Sequence, residues 1–376
     1  MADVLNGPAG RIARVRSMME QRGYDAVVVR DEANLRWLTG AMGVFDYTFE
    51  FPHVAFISAD RCYLHTDSRY FNSFNENLPE GHPWRLDMDE VAMTRWVADR
   101  ALETKSSVIA VEDDMQISFF RGIERGLEDV SICARLPLLY GDIQRMRAVK
   151  DAEELELMRH AQSITDAAFQ HMCSFIQPGM TEKQIRTELE TFMFNNGADS
   201  LAFSSIVASG PNTANPHAIP SDRVVERGDF VLMDYGAGYR DYRSDMTRTV
   251  CVGQPSDKQL ELYDLVRRTH EACAAAIHAG VDGHEVHLLS QKIIGDAGYG
   301  EYYGHGLGHG VGIDIHELPN LGRKSNVLEE GSVVTVEPGV YLPGVGGVRL
   351  EDYGVVTEDG FDPFTRSPHD LVVIDC

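Results

Sequence analysis

The chain has 376 residues, more than one hydrophobic core usually serves, so two domains are expected. Its 34 basic and 58 acidic residues give a formal charge of −24, which argues against nucleic acid or an anionic membrane as partner, because neutralising phosphate takes clustered Lys and Arg. Six scattered cysteines with no Cys-x-x-Cys pair, no apolar leader and no run of membrane-spanning length point to a reduced, cytoplasmic protein.

In chain order, residues 10–23 read as a helix and Ala26–Val29 as a strand, and the runs 54–57 and 62–65 read as a strand pair. A helix over about 90–103, a strand at Val108–Val111 and a short helix continue the alternation, so residues 1–145 are expected to form an α/β domain with a mixed sheet covered by helices. Within it, Asp46-Tyr-Thr-Phe49 is a candidate for closing the far end of a substrate pocket. The second domain, 146–376, opens with a charged helix whose start carries Asp151 as N-cap and Glu154 three residues on. That helix stops before Pro178-Gly179, and the pairs Thr181/Gln184 and Ser256/Gln259 open two more helices. Helices and strands alternate through this domain, an α+β arrangement.

Chemistry-bearing residues concentrate in the second domain. His217 ends a turn-rich loop between two strands, a setting for a proton donor to a departing amine nitrogen. Asp234 closes the apolar run Phe230–Asp234 and Asp245 opens the β-branched run Asp245–Val250; with Gly236 and Gly238 between them, this reads as a hairpin. Glu337 follows Val333–Val336 and Glu351 follows Val348–Leu350, with Pro343, Gly344, Gly346 and Gly347 between, a second hairpin. If each folds back symmetrically, Asp234 faces Asp245 and Glu337 faces Glu351 at about 5 Å. Four carboxylates so placed repel unless cations sit among them, and two divalent metals are a recurring hydrolytic solution.

Between the hairpins, Gly304–Glu317 packs five glycines and three histidines into fourteen positions, a density that lets backbone approach a ligand closely. His309, hemmed by Gly308 and Gly310, is the expected nitrogen ligand, with His305 and His316 acting on substrate. One histidine with four carboxylates makes a hard, oxygen-rich site that favours Mn, Fe(II) or Co over a thiolate-selected metal, with Zn compatible but not indicated. The expected nucleophile is a hydroxide bridging two such metals. Arg349 shares a strand face with Glu351 and would hold a substrate carboxylate or brace the neighbouring acids.

The motifs Asp234-Tyr-Gly, Ser244-Asp-Met-Thr-Arg-Thr249, His305-Gly-Leu-Gly-His309 with His316, Glu337-Pro-Gly339 and Arg349-Leu-Glu-Asp352 together resemble the proline-specific branch of the pita-bread metallopeptidases. The pita-bread family as a whole includes prolidase (Xaa-Pro dipeptidase), aminopeptidase P, methionine aminopeptidase and the metal-free creatinase. The resemblance runs from about Arg147 to the end, and the first domain resembles the creatinase-like N-terminal domain that methionine aminopeptidases lack. It implies a pita-bread catalytic domain, a homodimer, and hydrolysis of Xaa-Pro dipeptides or proline-containing peptides. It further implies that Asp234 and Asp245 hold one metal and His309 and Glu337 the other, with Asp245 and Glu351 bridging. His217 and His316 would orient substrate and shuttle protons, and His305 would stand on the substrate side. Two other readings compete: a non-peptidase hydrolase or lyase acting on a small molecule on the same scaffold, and a non-catalytic peptide-binding protein.

Overall fold

The computed structural model describes residues 7–44 and 52–375, so the Asp46–Phe49 segment lies outside the described residues. Contacts divide the chain into two compact units, Met1–Arg147 and Ala148–Cys376.

The first unit runs α1 (Gly7–Arg22), β1 (Ala26–Val29), α2 (Glu32–Thr39), β2 (Val54–Ser58), β3 (Cys62–His65), α3 (Phe71–Asn77), β4 (Trp84–Asp87), α4 (Met93–Thr104), β5 (Ile109–Val111), α5 (Ile117–Asp129) and α6 (Asp142–Ala148). Its sheet has the order β4-β3-β2-β1-β5. Strand β1 lies antiparallel to β2 and parallel to β5, and β3 lies parallel to β4, so the expected mixed sheet is present. Because β1 is buried along its whole length, it reads as the continuous run Ala-Val-Val-Val and not as an alternation. Val28, Phe56 and Ile109 pack with Trp96 and Ala101 of α4 and with Ile123 and Leu127 of α5. Helix α2 was not expected, although its signals are local: Asp31 caps the Asn34 amide, and Gly40 ends the helix at φ 64°. Just past β5, the buried Glu112 carboxylate accepts from the Arg30 and Asp31 amides at 2.6 and 2.8 Å and from Asn34 Nδ2 at 2.8 Å. Burial, reinforced by Asp31, pushes its pKa up to about 7.

The first half of the second unit runs α7 (Ala152–Phe175), α8 (Glu182–Asn195), β6 (Ser200–Leu201), β7 (Ile206–Ser209), β8 (Phe230–Tyr235), β9 (Ala237–Tyr239), β10 (Tyr242–Arg243) and β11 (Met246–Val252). Then come α9 (Asp257–Ala276), α10 (Gly283–Asp296), β12 (Gly308–Gly310), β13 (Glu317–Leu321), β14 (Val333–Val336), β15 (Gly339–Leu342), β16 (Gly346–Arg349), β17 (Asp352–Val356), β18 (Phe361–Pro363) and β19 (Val373–Ile374). All three capping boxes read from the sequence form, at Asp151, Thr181 and Ser256. In each half a helix pair backs a sheet. Met172, Ile185 and Leu189 pack on Val207, Met233 and Val250, and Cys273, Ile277 and Val286 pack on Val334 and Val336. Those sheets have the orders β19-β11-β8-β7 and β13-β12-β14-β17-β18.

Strand register decides how the acidic residues meet. In the second half, Val336 pairs with Asp352 and Gly339 with Arg349, a register that continues through Glu337 opposite Glu351. In the first half the expected facing pair is wrong: Asp234 lies opposite Thr247, and Asp245 falls two residues closer to the turn. The reason is the position of that turn. The chain reverses at Arg240-Asp241, both at positive φ (46° and 69°) between the paired Tyr239 and Tyr242, so the turn is not centred midway between Asp234 and Asp245. Asp234 and Asp245 therefore approach diagonally.

Candidate metal centre

Both hairpins and the glycine-rich segment deliver their side chains to one cavity of about 1090 Å³ in the second unit, whose wall includes all nine sequence-chosen residues. Asp234 stands near the end of β8, and Asp245 immediately precedes β11. His309 is the middle residue of β12, Glu337 follows β14, and Glu351 separates β16 from β17. Ligating atoms of Asp245, His309 and Glu351 lie within 4.8 Å of one another. His309 Nε2 is 3.6 Å from Asp245 Oδ2 and 3.4 Å from Glu337 Oε1. Its Nδ1 lies 3.0 Å from Gly310 O, which places the proton on Nδ1 and leaves the Nε2 lone pair directed at the carboxylates.

Arg349 organises the acidic side of the cavity. Its guanidinium donates to Asp234 Oδ2, to Thr247 Oγ1 at 3.0 Å, to Tyr341 Oη at 2.8 Å and to Pro216 O at 3.3 Å. Thr247 in turn donates to Glu351 Oε2 at 2.7 Å. Four of the five guanidinium N–H groups are thus engaged within the protein, the geometry of a brace for the acids. On the other side, Tyr341 Oη lies 3.0 Å from His305 Nε2, and His305 Nδ1 lies 2.7 Å from Gly306 O. With Nδ1–H donating to Gly306, Tyr341 donates its hydroxyl proton to His305 while accepting from Arg349. His217 and His316 are exposed at the cavity.

The electrostatics ask for cations. Burial, then the neighbouring acids, pushes the Asp245 and Glu351 carboxyls far above the ordinary range. Glu337 is raised to about 8 by burial and Asp234, against the pull of Arg349. His309 falls to about 4 through burial and the adjacent His316, so its ring is neutral and able to ligate at neutral pH. Asp234 Oδ1 is buried with no hydrogen-bond partner among the described residues. An orphaned carboxylate oxygen, three acids that cannot ionise together unaided and a neutral imidazole aimed at them form a donor set that fits divalent cations.

Two of the glycines are required by the packing of the strands themselves. A Cβ on Gly308 would sit 2.1 Å from Thr335 O, and one on Gly310 would sit 2.2 Å from Leu318 O. Glycine is needed there for β12 to fit between its neighbouring strands, which fixes His309 in place. Two residues of the site were missed. Thr247 was detectable, since it follows Asp245 by two and so shares its strand face; Tyr341 carried no signal until the β15–β16 register was known. Phe203, Ile219 and Pro220 add apolar lining to the cavity.

Comparison with known proteins agrees with this geometry. The model of metallopeptidase family M24 matches residues 156–358, and that of the creatinase/prolidase N-terminal domain matches residues 11–149. The chain is 41% identical over 231 residues to a Xaa-Pro dipeptidase of Pyrococcus furiosus, a match covering 61% of this chain and 66% of that one. Among solved structures, a Xaa-Pro dipeptidase from Bacillus anthracis superposes with a TM-score of 0.90 at 37% identity, covering 98% of this chain and all (100%) of that one. An X-Pro aminopeptidase from Thermotoga maritima gives a TM-score of 0.84 at 33% identity, covering 95% of this chain and 100% of that one. The resemblance read from the motifs is borne out, and so is the two-domain, creatinase-like fold: the chain belongs to metallopeptidase family M24.

Proposed function

We propose that this chain is a metal-dependent exopeptidase that hydrolyses the bond between an N-terminal residue and proline, in dipeptides or at the start of longer peptides. The observation that carries the proposal is the convergence of four carboxylates and a lone-pair-bearing His309 Nε2 on one cleft of an M24 chain. Asp234 and Asp245 would hold one divalent ion and His309 and Glu337 the other, with Asp245 and Glu351 shared between them. The oxygen-rich donor set supports manganese first, with Co, Fe(II) or Zn also able to bind. Bound ions supply Lewis-acid polarisation of the scissile carbonyl and a nucleophile at neutral pH.

The chain's own groups complete the chemistry. Arg349 and Thr247 hold Asp234 and Glu351 in position. Gly310 O fixes the His309 tautomer. His217 and His316 would orient substrate and pass a proton to the departing proline nitrogen, a reading supported by their exposure at the cleft. The apolar lining formed by Phe203, Ile219 and Pro220 supports binding of a pyrrolidine ring. Homodimer formation is proposed on the family resemblance. A cytoplasmic setting is proposed on the free thiols of Cys62, Cys133, Cys173, Cys251 and Cys273.

The test is a product assay on metal-loaded protein with Xaa-Pro, Xaa-Pro-Yaa and proline-free dipeptides, with small non-peptide amides as controls. Release of the N-terminal residue from the proline substrates, at rates well above those on the others, is the expected result. Equal turnover of the proline-free dipeptides, or turnover of the small amides alone, overturns the proposal. Which proline substrate leads, dipeptide or tripeptide, defines the exopeptidase type.

A further inference from the structure

Asp352 follows Glu351 by one residue, so strand alternation turns its side chain away from the cleft, and it is absent from the cavity wall. There it meets His270 of α9 and His369 of the C-terminal segment, and one ligating atom from each of the three lies within 4.8 Å of the others. His270 Nε2 is 3.5 Å and His369 Nε2 is 2.7 Å from Asp352 Oδ2. The other carboxylate oxygen, Oδ1, accepts from Arg248 Nη2 at 2.7 Å. The same guanidinium donates to Ser367 O at 2.8 Å and Pro368 O at 3.0 Å, the two residues ahead of His369, and so sets where that ring stands.

The unusual member is His270. It is 1% exposed, yet neither of its ring nitrogens has a hydrogen-bond partner among the described residues. Buried polar atoms are nearly always satisfied, and one in a native core calls for an explanation such as a bound ion. We propose that His270, Asp352 and His369 form a divalent metal site of zinc type, separate from the four-carboxylate centre.

The geometry is close to what such an ion requires. Ligand atoms around a tetrahedral zinc with bonds of about 2.0–2.1 Å stand about 3.3 Å apart. The His270–Asp352 separation, 3.5 Å, is near that length, and the shorter His369–Asp352 contact opens when the ion replaces the proton between them. His369 then keeps its proton on Nδ1, which faces Glu271 Oε1 at 3.9 Å. Two imidazoles and one carboxylate suit zinc better than the harder manganese. With its side chain 35% exposed, His369 leaves a route for solvent to the fourth position. The ion ties α9 to the C-terminal segment and braces Arg248, which also donates to Glu351 O at 2.6 Å. Its role is structural support of the strand that carries Glu351.

The test is zinc stoichiometry on the full chain. Protein stripped with chelator, reloaded with Zn²⁺ and desalted is analysed for metal per chain beside His369→Ala, His270→Leu and Asp245→Asn. Each histidine variant is expected to hold one zinc fewer than the wild type. Zinc is expected to raise the Tm of Asp245→Asn, which leaves this site intact, and to lose that effect in Asp245→Asn/His369→Ala. His369 is partly exposed, so its variant should fold even if the buried His270→Leu does not. A folded His369→Ala protein, verified by circular dichroism, that carries as much zinc as the wild type overturns the proposal.

Discussion

Glu182, the first residue of α8, is fully buried, and its carboxylate holds both ends of the loop that carries His217. Oε1 accepts from Ser209 N at 2.7 Å, Ser209 Oγ at 2.9 Å and Asn212 Nδ2 at 3.0 Å; Oε2 accepts from Ser221 N at 2.9 Å and Ser221 Oγ at 2.6 Å. In Glu182→Gln the new amide nitrogen must face either the Ser209 or the Ser221 backbone N–H, donor against donor. The hydroxyls can rotate to adapt, but the backbone amide cannot. Stranding that amide and the new NH₂ at about 1–3 kcal/mol per buried group predicts a loss of about 2–6 kcal/mol. Burial on its own would raise the Glu182 pKa; the Ser221, Asn212 and Ser209 donors outweigh it and hold the carboxyl below its ordinary value of 4.5. A depressed native pKa gives stability that is present above 4.5 and lost as pH falls through the native value, and Gln has no such acid limb. Denaturant melts of wild type and Glu182→Gln at neutral and acid pH read both effects, and KM for a Xaa-Pro dipeptide reads the loosened loop. A variant within about 0.5 kcal/mol of wild type, with the same acid dependence, would refute the reasoning.

Three further outcomes follow from the same contacts. Tyr341→Phe removes the acceptor for Arg349 Nη1 and the partner of His305 Nε2; kcat/KM should fall about tenfold, from roughly 1.4 kcal/mol of lost orientation, and an unchanged value contradicts the bracing role. Asp245→Asn should lower metal content by elemental analysis and abolish turnover, and normal metal content with full activity would exclude Asp245 as a ligand. In the first unit, the raised pKa of Glu112 gives stability that is complete below 4.5 and lost as pH rises through about 7. The span between those values corresponds to about 3 kcal/mol, and Glu112→Gln should flatten that slope in denaturation curves followed across it.

How much was legible in the sequence depended on whether a signal was local. The three capping boxes at Asp151, Thr181 and Ser256 are four-residue patterns, and each marks a helix start that the structure reproduces. The Asp31 cap and Gly40 stop of α2 are equally local, but the helix between them is only eight residues long and so gives little periodic signal. Register was legible in the second hairpin, where Glu337 lies opposite Glu351, but not in the first, where Asp234 lies opposite Thr247. The polar turn after Gly236 and Gly238 falls at Arg240 and Asp241, which adopt the positive φ values, and Gly236 is constrained by Ser244 O, 1.9 Å from where its Cβ would be. The candidates for the centre were legible because four acids stand at or beside strand ends and a histidine stands between two glycines. Most of its internal bracing was not, because Arg349 meets Thr247 and Pro216 only across segments far apart in sequence, and Tyr341 only once the β15–β16 register is known.

The central claim is that the buried carboxylates and His309 hold divalent ions on which Xaa-Pro hydrolysis depends. The direct measurement follows Xaa-Pro hydrolysis and metal content on one preparation through chelator stripping and reconstitution with Mn²⁺ or Co²⁺. Activity that disappears with the metal and returns in proportion to the ions rebound is the predicted result; hydrolysis that persists at full rate after complete metal removal contradicts it.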